Sequence, residues 1–502
     1  MSQNTKENIM TDFYTDVSVL GNNILYRGVE NGKRVQYKHE YSPKIYVKSN
    51  KVSQWKSLFG DSVEELQPGD IKETRDFIKK YSDIENFEIY GDINFDVQFI
   101  SEKYQHLIDW SIDDINVYIL DIETSTENSG FPDPNLATEE ILLISLTSLK
   151  DKTTDTWLSR NYNGETIKNA KLHLCDDEYS LIKQFIDEWG RKEIDIISGW
   201  NVEGFDIKYL ITRIGNILGD EYIKLLSPWR RVTTRNTKDD YGKDTVLYDI
   251  VGISCIDYKD LYKKFTYTKR ENYKLETICK IELGVGKLEN PYDTFKEFYD
   301  KSWDTFVEYN IVDCERVVEL EQKMKLLELC LTMSFLAKIN FNDVFSQIKM
   351  WDAIIFNHLK QKHIVIPPRS KASKNEQFEG AFVKEPVPGF YNWVTSFDAT
   401  SLYPSIIQTW NISLETFIGM KPNVSLDGLL KGVNYEIDGD YTLAVNGAKY
   451  SKDKMGMMPE LIDIYMKKRK EAKSLMLKYE SEVESLKFEM QKRNLNYSKT
   501  HS

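Results

Sequence analysis

Val117-Tyr-Ile-Leu-Asp121-Ile-Glu123-Thr124 is an apolar run that ends in two carboxylates placed two residues apart. Residues i and i+2 of a strand share a face, so Asp121 and Glu123 project side by side. Two such carboxylates repel unless a cation sits between them, and a hard divalent ion such as Mg²⁺ is the usual one. A strand running into an acidic turn would explain the segment equally well. Further acidic and aromatic signals downstream, taken in order, decide between the two.

The first of these is Ser198-Gly-Trp-Asn201-Val-Glu-Gly-Phe-Asp206, followed by Ile207, Leu210, Ile211 and Ile214 at helical spacing. Asp206 then heads a helix, where the dipole favours a carboxylate whether or not it binds metal. Trp303-Asp-Thr-Phe-Val-Glu-Tyr309-Asn-Ile-Val-Asp313 predicts a second helix, with Tyr309 and Asp313 on one face at i and i+4. Taken alone, such a tyrosine is a half-buried core aromatic and such an aspartate a solvated surface residue. Between these segments Arg231-Val-Thr-Thr-Arg, the turn Lys238-Asp-Asp-Tyr-Gly-Lys and Thr245-Val-Leu-Tyr predict a protruding hairpin. Val394-Thr-Ser-Phe-Asp398 predicts a strand, and Ala399-Thr-Ser-Leu402-Tyr403-Pro404 a turn with proline near a helix start. That is a compact active-site design and equally an ordinary strand-to-helix turn.

From Pro459 to about Arg493 the pattern predicts one amphipathic helix, roughly 50 Å long at 1.5 Å per residue. Its apolar stripe passes through Leu461, Ile464, Tyr465, Ala472, Leu475, Met476, Tyr479, Val483, Leu486 and Met490, with Arg469 and Lys473 as an i,i+4 pair beside it. By itself Lys467-Lys-Arg-Lys-Glu-Ala-Lys reads as a solvated basic face. At the other end, Val17-Ser-Val-Leu, Asn23-Ile-Leu-Tyr-Arg and Lys44-Ile-Tyr-Val predict short strands, and Asn31-Gly32 is a strong hairpin signal.

A chain of 502 residues is too long for one core and implies three or four domains, with 41% hydrophobic and 13% aromatic residues to fill them. No apolar run is long enough to cross a bilayer, and Met-Ser-Gln-Asn-Thr-Lys-Glu-Asn lacks a signal-peptide pattern, so a soluble cytoplasmic protein without membrane attachment is expected. The five cysteines are scattered without metal-ligand spacing, which suits free thiols and suggests no zinc site. A net charge of −13 argues at first against nucleic acid, since phosphate contacts need Lys and Arg. Total charge does not locate a binding surface, however, and metal-dependent nucleases need carboxylates.

Taken in order, these motifs resemble the first half of a family B DNA polymerase of the T-even bacteriophage type, over nearly the whole chain. Asp121-Ile-Glu123, Asn201-Val-Glu-Gly-Phe-Asp206 and Tyr309-Asn-Ile-Val-Asp313 are similar to the three exonuclease motifs. Asp257-Tyr-Lys-Asp-Leu-Tyr-Lys-Lys-Phe resembles a segment of the same phage group. Ser396-Phe-Asp398-Ala-Thr-Ser-Leu402-Tyr403-Pro404 resembles polymerase motif A, the most specific single signal. Phe378-Glu-Gly380-Ala-Phe sits where the family has a glycine-containing loop between its two sites.

The resemblance implies an α/β and α+β multidomain fold. Its parts would be a β-rich N-terminal domain (1–112, resumed at 329–370), a ribonuclease H-like 3′–5′ exonuclease domain (113–328), a partial palm (371–457) and one long fingers helix (458–502). It implies that Asp121, Glu123, Asp206 and Asp313 hold two Mg²⁺ ions about 4 Å apart, which Mn²⁺ can replace. Tyr309 would orient the attacking water, since an unperturbed phenol with a pKa near ~10 is a poor base. Asn201 and Gly380 would contact DNA, and the hairpin would help part primer from template. On the polymerase side Asp398 and the Ala399 carbonyl would bind Mg²⁺, Tyr403 supported by Leu402 would exclude a ribose 2′-OH, and Arg469 and Lys473 would contact the triphosphate.

Neither a motif B helix, nor an Asp-Thr-Asp motif C, nor a thumb is found in the sequence. The expectation is therefore the N-terminal chain of a split replicative polymerase, completed by a second polypeptide carrying motifs B and C and the thumb. Its partners would be primer-template DNA, deoxynucleoside triphosphates and, through that second chain, a sliding clamp, in the cytoplasm of an infected bacterial host. A free-standing exonuclease with a polymerase remnant and a non-catalytic nucleic-acid-binding fragment are the alternatives.

Overall fold

The computed structural model describes residues 12–85, 87–126, 131–238, 242–369 and 383–492, and its contacts divide the chain into two compact units, Met1–Ser370 and Lys371–Ser502. The first unit opens with an antiparallel meander of β1 (Phe13–Leu20), β2 (Asn23–Glu30) and β3 (Lys33–Glu40). Asn31 (φ 51°) and Gly32 (φ 70°) both take the left-handed conformation between β2 and β3. That pair of angles lets a two-residue turn follow the strand twist, and Asn-Gly adopts it with least strain. A second small sheet pairs β4 (Ile45–Lys48) with β5 (Val63–Leu66) on one side and β6 (Ile89–Tyr90) on the other.

The larger sheet is built from β7 (Val117–Thr124), β8 (Ile141–Ser148), β9 (Thr154–Leu158), β10 (Ala170–Leu174) and β11 (Ile196–Gly199). A separate hairpin of β12 (Val232–Lys238) and β13 (Asp244–Ile250) intervenes before the last strand of the sheet, β14 (Ser254–Asp257). Strand order is β10-β9-β8-β7-β11-β14, with β7, β8 and β9 antiparallel and β11 and β14 running parallel to β7. This mixed sheet covered by helices is of the ribonuclease H-like kind. All eight residues of β8 are buried, as an apolar run covered on both faces requires.

Alternation along β7 decides what lies on each face. Val117 and Ile119 join the core shared with Cys314, Val317 and Val318 of the helix Trp303–Met324. Leu120 and Ile122 join the opposite core, with Ile207, Leu210, Ile211 and Ile214 of the helix Asp206–Ile217. Asp121 and Glu123 therefore emerge on the Trp303–Met324 side.

The meander is locked to this sheet by a buried ion cluster. Asp195, wholly inaccessible, accepts from the Asn116 backbone N–H (2.8 Å) and faces Arg34 (2.8 Å) and Arg27 (3.6 Å), whose side chain is 8% exposed. Removing the carboxylate leaves the buried Arg27 charge with only the Ile194 and Gly252 carbonyls as acceptors and no paired counter-charge, and breaking such a pair costs roughly 3–5 kcal/mol. Asp195→Ala is therefore expected to lower the unfolding free energy of this unit by about that amount in a urea titration; a change below ~1 kcal/mol would contradict the assignment. After the helix Leu326–Ala337 the chain returns to the first strands, where Tyr14 Oη donates to the Ile339 carbonyl (2.7 Å) and the Val17 N–H donates to Asn340 Oδ1 (2.9 Å). All five cysteines are free and buried.

In the second unit the helix Leu402–Trp410 is followed by a small antiparallel sheet of β15 (Phe417–Met420), β16 (Tyr441–Leu443) and β17 (Ala448–Ser451), and by the helix Met457–Lys492. Asn411 joins them: its Nδ2 donates to the Ser451 carbonyl (2.7 Å) and its Oδ1 accepts from Gly456 N–H (2.8 Å). Pro404 lies in the first turn of its helix, where no intrahelical partner for its nitrogen is needed.

The strand expected at Val394–Asp398 is not formed. These residues are exposed and irregular, Phe397 to 91%. A strand exists only as part of a ladder, and among the described residues no other strand pairs with this segment. The long helix forms as expected over 36 residues, but only Pro459 and Leu461 are buried; Leu475, Met476, Tyr479, Val483 and Leu486 are between 47% and 60% exposed. Among the described residues no helix is long and apolar enough to cross a membrane.

Candidate active site

Three carboxylates from two elements meet where β7 runs under the helix Trp303–Met324. Oxygens of Asp121, Glu123 and Asp313 lie within 4.8 Å of one another, and these form the only group of three or more potential metal ligands among the described residues. Asp313 is 4% exposed, and its Oδ1 has no hydrogen-bond partner. A buried acceptor with no donor, in a set made only of carboxylate oxygens, fits a hard divalent cation.

Asp206 comes to the edge of β7 from a third element. It heads the helix that covers the other side of β7, is 4% exposed, and its Oδ1 accepts from the Ile122 backbone N–H at 3.0 Å. It stands close enough to Asp121 for the two charges to repel, but outside the group of three.

Two side chains that no sequence pattern singled out complete the site. Lys287 forms an ion pair with Asp313 Oδ2, and its Nζ lies 4.5 Å from the centre of the Tyr309 ring. Its loop is pinned from both sides: the Lys287 N–H donates to Glu276, and the Gly286 carbonyl accepts from Arg316 Nε at 2.9 Å, one turn beyond Asp313. Nothing periodic marks such a loop residue. Asn310 donates from Nδ2 to Asp121 Oδ2 at 2.6 Å, and it stands i−3 to Asp313 on the face already assigned to that helix. A helical projection of the motif would have found it.

The electrostatics follow from crowding negative charge inside protein. Burial first, then the neighbouring Asp313, pushes Asp121 up to about 8. Glu123 is driven well above its usual value by burial and then Asp121, and Asp206 by the same two causes. Burial raises Asp313 to about 6 against the opposing pull of Lys287. Burial also raises the Tyr309 phenol, so it is protonated at neutral pH and serves as a hydrogen-bond donor.

A pH dependence of stability follows. With these acids raised, the folded state holds protons that the unfolded state has released between about pH 4, the ordinary carboxylate value, and 8. Stability in the absence of divalent cations therefore falls as pH rises through that window. A divalent cation held by the ionised carboxylates would be expected to suppress the fall. Thermal melts across the window with EDTA and with Mg²⁺ check this; identical pH profiles in the two would contradict it.

Of the other residues expected to act, Asn201 has positive φ (68°), and its Oδ1 accepts from Lys259 Nζ. It lines a groove of about 740 Å³ bounded by the β12–β13 hairpin. That hairpin is formed as expected with Lys238 opposite Asp244, its tip at 239–241 lying outside the described residues. Gly380 also lies outside them. In the second unit Asp398, Ala399, Leu402, Tyr403, Arg469 and Lys473 are all solvent-facing or nearly so, Tyr403 to 74%.

Comparison with known proteins matches two stretches of the chain. The sequence model of the DNA polymerase family B exonuclease domain matches residues 77–278, and that of DNA polymerase family B matches residues 341–497. The chain belongs to DNA polymerase family B. It is 33% identical over 515 aligned residues to the DNA-directed DNA polymerase of Escherichia phage RB69, covering 97% of this chain and 56% of that protein. It is 34% identical over 504 residues to the DNA-directed DNA polymerase of Enterobacteria phage T4, covering 95% and 55%. A more distant relative is the DNA polymerase catalytic subunit of Saimiriine herpesvirus 2, 26% identical over 408 residues, 77% of this chain and 39% of that one. This family B chain thus carries an exonuclease domain and part of a polymerase domain, and spans about half the length of its phage relatives.

Proposed function

We propose that the chain is a metal-dependent 3′–5′ exodeoxyribonuclease that proofreads primer ends, joined in one polypeptide to half of a DNA-polymerase active site. The observation that carries this is the convergence of Asp121, Glu123 and Asp313 within 4.8 Å, with Lys287 paired to Asp313 and lying over Tyr309. Mg²⁺ bound there, or Mn²⁺ in its place, supplies charge stabilisation at the phosphoryl oxygens and at the departing 3′ oxygen. The three carboxylates would hold it, with Asp206 contributing from the edge of β7. Tyr309, kept protonated, donates a hydrogen bond to the attacking water and so places it in line with the phosphorus. Lys287, held between Asp313 and the Tyr309 ring, would offer its ammonium to the phosphate. Asn201 and the β12–β13 hairpin guide the strand.

For the polymerase half, Asp398 and the Ala399 carbonyl would bind Mg²⁺, Tyr403 backed by Leu402 would pack under the sugar, and Arg469 and Lys473 would contact the triphosphate. Gly380, outside the described residues, would contact the DNA. Motifs B and C and the thumb would arrive on a second polypeptide, and with it the contact to a sliding clamp, in the cytoplasm of an infected bacterial host. The support is the open apolar stripe of the helix Met457–Lys492 and the exposure of motif A, surfaces that need a partner.

The purified chain with Mg²⁺ is expected to shorten single-stranded DNA from its 3′ end and to stop on addition of EDTA; digestion unaffected by EDTA would overturn the proposal. Deleting the hairpin between Asn236 and Val246 is expected to slow digestion of paired duplex several times more than digestion of single strands. Equal slowing on both substrates would leave the hairpin a surface loop.

A further inference from the structure

Asn310 is wholly inaccessible (0% exposed), yet only half of its amide is used. Its Nδ2 donates to Asp121 Oδ2 at 2.6 Å, while its Oδ1 has no hydrogen-bond partner. A buried amide with an orphaned oxygen fills a helix–strand junction less favourably than a leucine of similar size, because the acceptor has lost its water and gained nothing. Stability alone therefore does not explain an asparagine at this position. What distinguishes it from leucine is the bond to Asp121.

That bond spans the two elements that supply the carboxylates. Asp121 and Glu123 are on β7, and Asp313 is on the helix, one turn after Asn310. Among the described residues the other side-chain link between this helix and β7 is weak, Cys314 Sγ to the Ile119 carbonyl at 3.9 Å. With Oδ2 held by the amide, Asp121 keeps one rotamer and leaves Oδ1 for a ligand. The separation between strand and helix carboxylates is fixed at the same time.

We infer that Asn310 is a positioning residue: it orients Asp121 and sets the spacing of the three carboxylates to suit a small divalent cation. The inference rests on the exonuclease site proposed above. Partners that orient metal-ligating side chains typically change metal affinity 10–100-fold when removed.

The test is Mn²⁺ binding to the full chain, followed by electron paramagnetic resonance of the free ion, in Asn310→Leu and Asn310→Ala. The Asp121→Ala/Glu123→Ala variant gives the background from sites elsewhere. Both Asn310 variants are expected to bind Mn²⁺ at this site about 10–100-fold more weakly. The Mg²⁺ concentration for half-maximal digestion should rise in parallel, while in EDTA the melting temperature of Asn310→Leu stays at or above the parent's and single-stranded DNA binding is unchanged. Parent-like Mn²⁺ affinity in both variants overturns the inference. So does a loss accompanied by a lowered melting temperature in both, which would make Asn310 a structural residue. If the Asp121→Ala/Glu123→Ala variant itself binds Mn²⁺ and digests DNA like the parent, the exonuclease assignment fails, and the role of Asn310 with it.

Discussion

Replacing Asp121 and Glu123 together by alanine is expected to lower 3′–5′ digestion of single-stranded DNA by at least about 10³-fold. Two of three converging ligands disappear, and the remaining Asp313 is already paired with Lys287. A metal at a phosphoryl centre supplies several kcal/mol of transition-state stabilisation, and each ~1.4 kcal/mol is tenfold in rate. The fold should survive, and even gain stability at neutral pH. Asp121 and Glu123 sit with raised pKa values because burial and mutual repulsion penalise their charged forms, so their removal relieves strain that only a cation would otherwise relieve. Loss of activity with retained or raised melting temperature is thus the expected pair of results. A double variant that digests DNA as fast as the parent would place the active site elsewhere.

A second large effect is expected at Asp398. Mixing the chain with a polypeptide that carries motifs B and C and a thumb should give a one-to-one complex that extends a primer, and Asp398→Ala should remove extension while leaving digestion intact. The helix Met457–Lys492 presents Leu475, Met476, Tyr479, Val483 and Leu486 half open to solvent. Each such side chain contributes roughly 1.5–3 kcal/mol when fully buried. That is ample to hold a partner, and the same stripe would otherwise pair with a second copy as a coiled coil. If the mixture neither associates nor synthesises DNA, the split polymerase is wrong and an exonuclease with a polymerase remnant takes its place.

The parts of the site that local periodicity governs were legible in the sequence. Asp121 and Glu123 share a face because strand period is two, and Tyr309 and Asp313 share one because helical neighbours recur at i+4. Lys287 was not legible, since a loop held between Glu276 and Arg316 has no period and its position depends on tertiary contacts. Nor was the orientation of Asp206, because which face its helix covers depends on the sheet's topology. The strand expected at Val394–Asp398 shows the opposite error: a ladder needs a neighbour, and none of the described strands provides it. For the long helix the pattern gave the length correctly and left open what covers its apolar side chains.

The central claim, that the carboxylates under the helix Trp303–Met324 are a divalent-cation centre, is tested most directly by anomalous diffraction from crystals soaked in Mn²⁺. The expected result is a peak between Asp121, Glu123 and Asp313 at about 2.0–2.2 Å from their oxygens, with the Lys287 ammonium displaced from Asp313. A map with no peak there, and Lys287 still paired to Asp313 at saturating Mn²⁺, would contradict it.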